Sequence, residues 1–99
     1  MNITLEIAGG LASALMSRRY VIDSANLEQS QRDALAELID EALAEAERQP
    51  NPALRDARSY EIRIATDSGE RTIVAYDGSI RPVTRRLIEM IRSLAQSPR

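Results

Sequence analysis

The chain contains no histidine, cysteine, lysine, tryptophan or phenylalanine. Without His or Cys there is no imidazole base, no thiolate nucleophile, no zinc finger and no haem-type ligand. Without Lys there is no Schiff base and no Walker phosphate loop. Carboxylates, hydroxyls, three tyrosines and arginine are left for chemistry. No serine sits in a nucleophile elbow, and nothing could activate one. We therefore expect a protein that is not an enzyme, with no catalytic residues, no metal ligands and no cofactor. The lack of cysteine also removes any disulfide framework. A basic leader and a long apolar run are absent too, so the sequence predicts a cytoplasmic protein that engages no membrane.

The 99 residues suit one domain, spanning 1–99. Thirteen arginines against fifteen acids give a net charge of −2, so the chain is no general magnet for nucleic acid. The charge is nevertheless split. Glu28 to Arg48 holds seven acids and two arginines, while Arg81 to Arg99 holds five arginines and one acid. Such faces are usually solvated, or form a polar rim that steers a partner. Arg81, Arg85 and Arg86 on one basic helix, with so few aromatics for stacking, do not make a nucleic-acid site.

Asn2 to Ile7 alternates, with Ile3, Leu5 and Ile7 on one face, as in a half-buried strand. Gly9-Gly10 ends it. Leu11 to Ser17 is apolar but short. Arg18 to Asp23 reads as a second strand with Tyr20 and Ile22 on one face. Asn26 then looks like an N-cap, with Gln29 three residues on as in a capping box. From about Glu28 to Arg48, Ala34, Leu35, Leu38, Ile39, Ala42, Leu43 and Ala46 form one helical stripe. Pro50 and Pro52 end that helix. Tyr60, Ile62 and Ile64 alternate in a third strand, and Thr66 to Glu70 is a turn. Arg71 to Asp77 returns as a fourth strand, with either Thr72, Val74 and Tyr76 or Ile73 and Ala75 facing the core. Pro82 suits the first turn of a last helix, striped by Val83, Leu87, Ile88, Ile91, Leu94 and Ala95. The order ββαββα predicts an α+β fold: a four-stranded antiparallel sheet with two helices packed on one face.

Several stretches together resemble the emfourin family. They are Gly9-Gly10-Leu11-Ala12, Arg19-Tyr20-Val21-Ile22-Asp23, Asp56-Ala57-Arg58-Ser59-Tyr60-Glu61-Ile62-Arg63-Ile64 and Arg71-Thr72-Ile73-Val74-Ala75-Tyr76-Asp77. The resemblance covers nearly the whole chain. It departs from the family pattern in having Leu11 where an aromatic is common, and Ala44-Glu45-Ala46-Glu47 where an aromatic pair is. Emfourins are small bacterial inhibitors of protealysin and related thermolysin-like zinc metalloproteases. The resemblance therefore implies a one-to-one complex in which the protease cleft is blocked.

Leu11-Ala12-Ser13-Ala14-Leu15-Met16 has two readings. It packs over the sheet edge into the core, or it enters a partner's groove. Thermolysin-like proteases favour bulky apolar side chains beside the cleaved bond, so under the second reading Leu11, Leu15 and Met16 are apolar anchors. Gly9 and Gly10 then form the approach, and Arg18 and Arg19 the flanking polar contacts. Lacking thiolate and imidazole, the inhibitor would fill the groove and leave the zinc alone. The alternative is a non-inhibitory interaction or regulatory module, a homodimer using an exposed strand face being one form of it. Asp67 to Glu70 reads as a solvated turn, or as a carboxylate offered to a partner's metal or cationic groups; Ser24 to Asn26 read as capping residues or a contact rim; and Glu37, Asp40 and Glu41 read as solubilising acids on a helix surface.

Overall fold

The computed structural model describes residues 1–8, 18–48 and 58–95. Its strands are β1 (Asn2–Ala8), β2 (Arg18–Asp23), β3 (Ser59–Thr66) and β4 (Gly69–Tyr76), and its helices are α1 (Gln29–Arg48) and α2 (Pro82–Ala95). All strand pairings are antiparallel, in the order β2-β1-β3-β4. The first strand thus lies inside the sheet, with a neighbour on each side. This is the α+β architecture that the alternation and the two stripes predict.

The period-2 patterns place one apolar face against the helices. Ile3, Leu5 and Ile7 of β1, Tyr20 and Ile22 of β2, and Tyr60, Ile62 and Ile64 of β3 are all buried. In β4 it is Ile73 and Ala75 that point inward, while Val74 is exposed. The register decides this: Ile73 lies opposite Ile62 and Ala75 opposite Tyr60, and directly opposed residues share a face. Leu35, Ile39 and Ala42 of α1 and Leu87, Ile88 and Ile91 of α2 close the core from the other side. The helices touch each other; α2 lies against β2 and α1 reaches β4.

Three local details differ from the sequence reading. The first concerns the start of α1. Asp23 caps a short 3-10 turn, Ser24–Asn26, by accepting a hydrogen bond from the Ala25 N–H at 3.0 Å. Leu27 is then extended, at φ −99 and ψ 156, so the helix cannot begin from Asn26. The capping-box contact lies two residues later, where the Glu28 N–H donates to Gln31 Oε1 at 3.1 Å. Second, Ala34 is exposed and Thr84 is buried. The α1 stripe is therefore too wide by Ala34, and the α2 stripe too narrow by Thr84. Third, the β3–β4 turn is tight. Only Asp67 and Ser68 lie between the strands, and Gly69 adopts φ 132, a region disfavoured for other residues.

The core makes a direct prediction. Leu87 is fully buried, whereas Val21 is 59% exposed. Leu87→Ala should lower unfolding stability by about 2–5 kcal/mol in urea titration, while Val21→Ala should stay within roughly 0.5 kcal/mol.

Candidate functional site

The strand order defines two ends of the sheet. At one end Ala8 lies opposite Ser59, Arg18 opposite Ile7, and Tyr76 opposite Ser59. The connection formed by residues 9–17 leaves and re-enters the sheet here, from paired neighbouring strands. The start of β3 and the run from β4 into α2 share this end. Gly9, Gly10, Leu11, Leu15 and Met16 lie outside the described residues. Arg18 and Arg19 are described, and both are exposed.

Alternation separates those two arginines. Arg18 is on the helix-bearing side of β2, with Tyr20 and Ile22, while Arg19 is on the open side. There Arg19 Nη2 meets Glu6 Oε2 at 3.3 Å. Glu6 also binds Arg63 Nη2, through Oε1 at 2.8 Å, and the same nitrogen lies 3.3 Å from Glu61 Oε1. Glu6 and Glu61 are directly opposed across β1 and β3. Two like charges in that position destabilise a sheet, and Arg63, in contact with both, offsets their repulsion. The result is a charged ladder across three strands. Each of its side chains is partly exposed, so it organises the open face more than it stabilises the fold.

A second polar contact closes the same end and escaped the sequence reading. Tyr60 Oη donates to Asp77 Oδ1 at 2.9 Å, and the Asp77 N–H donates to the Arg58 carbonyl at 2.9 Å. The ladder between β3 and β4 is thereby continued one pair beyond the strands. Gly78, at φ 92, then turns the chain, and the Ser79 N–H donates to the Tyr76 carbonyl at 3.0 Å. Burial raises the Tyr60 phenol above its ordinary 10.0; the bond to Asp77 adds to this and the Arg58 side chain opposes it. The signal was present in the stretches Arg58-Ser59-Tyr60 and Tyr76-Asp77, but only the register shows that they meet.

Other candidates lie elsewhere. The Asp67–Ser68 turn and the Ser24–Asn26 turn sit at the opposite end of the sheet. Asn2 at that end is separated from Ile7 by roughly 17 Å of strand. Glu37, Asp40 and Glu41 are all exposed on α1. Among the described residues no group of three or more acidic side chains could hold a metal ion, and no helix is long and apolar enough to cross a membrane.

The fold places the chain in the class of small α+β proteins with two helices on one face of a four-stranded antiparallel sheet, and comparison with known proteins specifies the class. Residues 5–92 match the family described as Emfourin. The chain belongs to the emfourin family. Among solved structures it is similar to "Emfourin (M4in) from Serratia proteamaculans, M4 family peptidase inhibitor", at 24% identity and TM-score 0.50, covering 90% of this chain and 86% of that one. That likeness shows the shared fold. No curated protein matches.

The Tyr60–Asp77 contact can be tested by Tyr60→Phe, which should cost about 0.5–1.5 kcal/mol at neutral pH. A phenol whose folded pKa is raised contributes stability that is complete below 10.0 and is lost as pH rises through the folded value. Alkaline denaturation of the Phe variant should therefore show a shallower pH slope than that of the wild type.

Proposed function

We propose that this protein inhibits a thermolysin-like zinc metalloprotease of the protealysin type by filling its active-site cleft, in a one-to-one complex in the cytoplasm. Membership of the emfourin family over residues 5–92 carries this reading. Further support comes from the fold shared with a protein described as an M4 family peptidase inhibitor.

The inhibitory segment in this proposal is Gly9 to Met16. Its flanks are strands of one sheet, and the pairing of Ile7 with Arg18 fixes both points of departure. Anchoring of this kind reduces the ordering cost that binding must overcome. Leu11, Leu15 and Met16 supply the apolar anchors. Burying one such side chain contributes roughly 1.5–3 kcal/mol, so two or three constitute a binding hot spot. Arg18 and Arg19 flank the segment on opposite faces of β2, where they meet the rim of the cleft. The chain has no thiolate or imidazole to bind zinc, and occlusion without coordination is the mechanism its composition favours.

Titration of the protein against a thermolysin-like protease should abolish activity at stoichiometric equivalence. Unchanged activity in large excess against several such proteases would refute inhibition. Leu11→Asp and Leu15→Asp should each weaken inhibition about tenfold to a hundredfold without altering the circular dichroism spectrum. Full potency in both would show that another part of the surface binds.

A further inference from the structure

The outer edge of β2 carries a pattern that fits a second copy of itself. Among the described residues no strand pairs with that edge. The register of β1 with β2 fixes which backbone groups point outward. Ser24 donates its N–H to the Met1 carbonyl at 3.0 Å, and the Asn2–Asp23 register makes Met1 and Ser24 directly opposed. Hydrogen-bonded pairs alternate along an antiparallel ladder. Ile22, Tyr20 and Arg18 therefore bond inward to β1, while Arg19, Val21 and Asp23 direct their N–H and C=O groups away from the sheet.

The side chains of those same three residues lie on the open face, and all three are exposed. β2 contains no proline or glycine to interrupt its edge, and the exposed charges it carries there, Arg19 and Asp23, are of opposite sign. In an antiparallel pairing of β2 with a second β2 about a two-fold axis normal to the sheet, both copies keep their helices on the same side. The register with Val21 on the axis places Arg19 opposite Asp23 of the second copy, and Asp23 opposite its Arg19. This register uses all three outward-facing residues in hydrogen-bonded pairs. It also brings opposite charges together twice and stacks the exposed Val21 on its equivalent. Moving by one pair in either direction loses both charge matches and leaves an outward residue without a counterpart.

We infer that β2 is a self-association edge, through which two copies of this chain join into a continuous eight-stranded sheet. This inference does not rest on protease inhibition. A six-residue edge strand makes a small interface, and such interfaces are weak and transient. Arg92 of α2 lies 5.7 Å above the Tyr20 ring on the helix side of β2, leaving the open face to carry the pairing. The dimer therefore forms at high concentration and dissociates on dilution.

Sedimentation velocity on the full chain tests the seam. The wild type should move from 11.0 kDa toward twice that mass between micromolar and millimolar concentration. Asp23→Arg and Arg19→Glu each place like charges opposite one another at two positions. Each alone should weaken dimerisation about tenfold or more. An equimolar mixture of the two variants restores both opposite-charge pairs and should recover the dimer. Thermal melts establish that the variants fold; if one does not, Val21→Lys, which sets two ammonium groups across the axis, must dissociate the dimer in its place. A wild type that stays at 11.0 kDa throughout overturns the inference. So do variants that dimerise as well as the wild type, or a mixture that stays monomeric.

Discussion

The pairing of β1 on both of its edges is the constraint on which this fold depends. The first strand of the chain is an inner strand of the sheet, bonded to β2 on one side and to β3 on the other. Its alternation serves two purposes at once. Ile3 and Leu5 are fully buried under the helices, while Glu6 on the opposite face holds arginines from both neighbouring strands. A slip of one residue in either pairing would exchange these faces, burying Glu6 and exposing the core. Hydrophobic burial therefore fixes the register, and the ion-pair ladder agrees with it.

From that constraint follows which elements share an end of the sheet. Because β1 and β2 are adjacent and antiparallel, Ala8 and Arg18, which bracket residues 9–17, lie at the same end of the sheet. Because β1 also pairs with β3, the start of β3 and the end of β4 are brought to the same end of the sheet. The Tyr60–Asp77 hydrogen bond closes the β3–β4 ladder there. The helices bury the sheet's apolar face.

Much of the fold was legible from periodicity. The strands β1, β2 and β3 each show three or two apolar residues at period 2, and both helical stripes are continuous enough to give type and approximate length. Legibility failed where two patterns competed. In β4, Thr72, Val74 and Tyr76 make as plausible a buried face as Ile73 and Ala75, and only the partner strand chooses between them. At the start of α1, Asp23, Ser24 and Asn26 are all good capping residues. Asp23 is taken by the 3-10 turn, which shifts the helix start beyond Asn26. At the candidate site, Arg18 and Arg19 were singled out as a pair, yet the pleat sends them to opposite faces. Their different surroundings, one beside the helices and one in the Glu6–Arg63 ladder, could not be seen without the register.

By itself the sequence determined which chemistries are closed to this protein, which segments are strands and helices, and which family it resembles. These properties depend on residue identity and local spacing, and both are written directly in the chain. The tertiary structure alone decided the order of the strands, the inward face of β4, the Tyr60–Asp77 contact and the outward-facing groups of β2. Each of these depends on pairing between segments far apart in sequence. Pairing is set by the joint burial of many side chains, so no single stretch of residues specifies it.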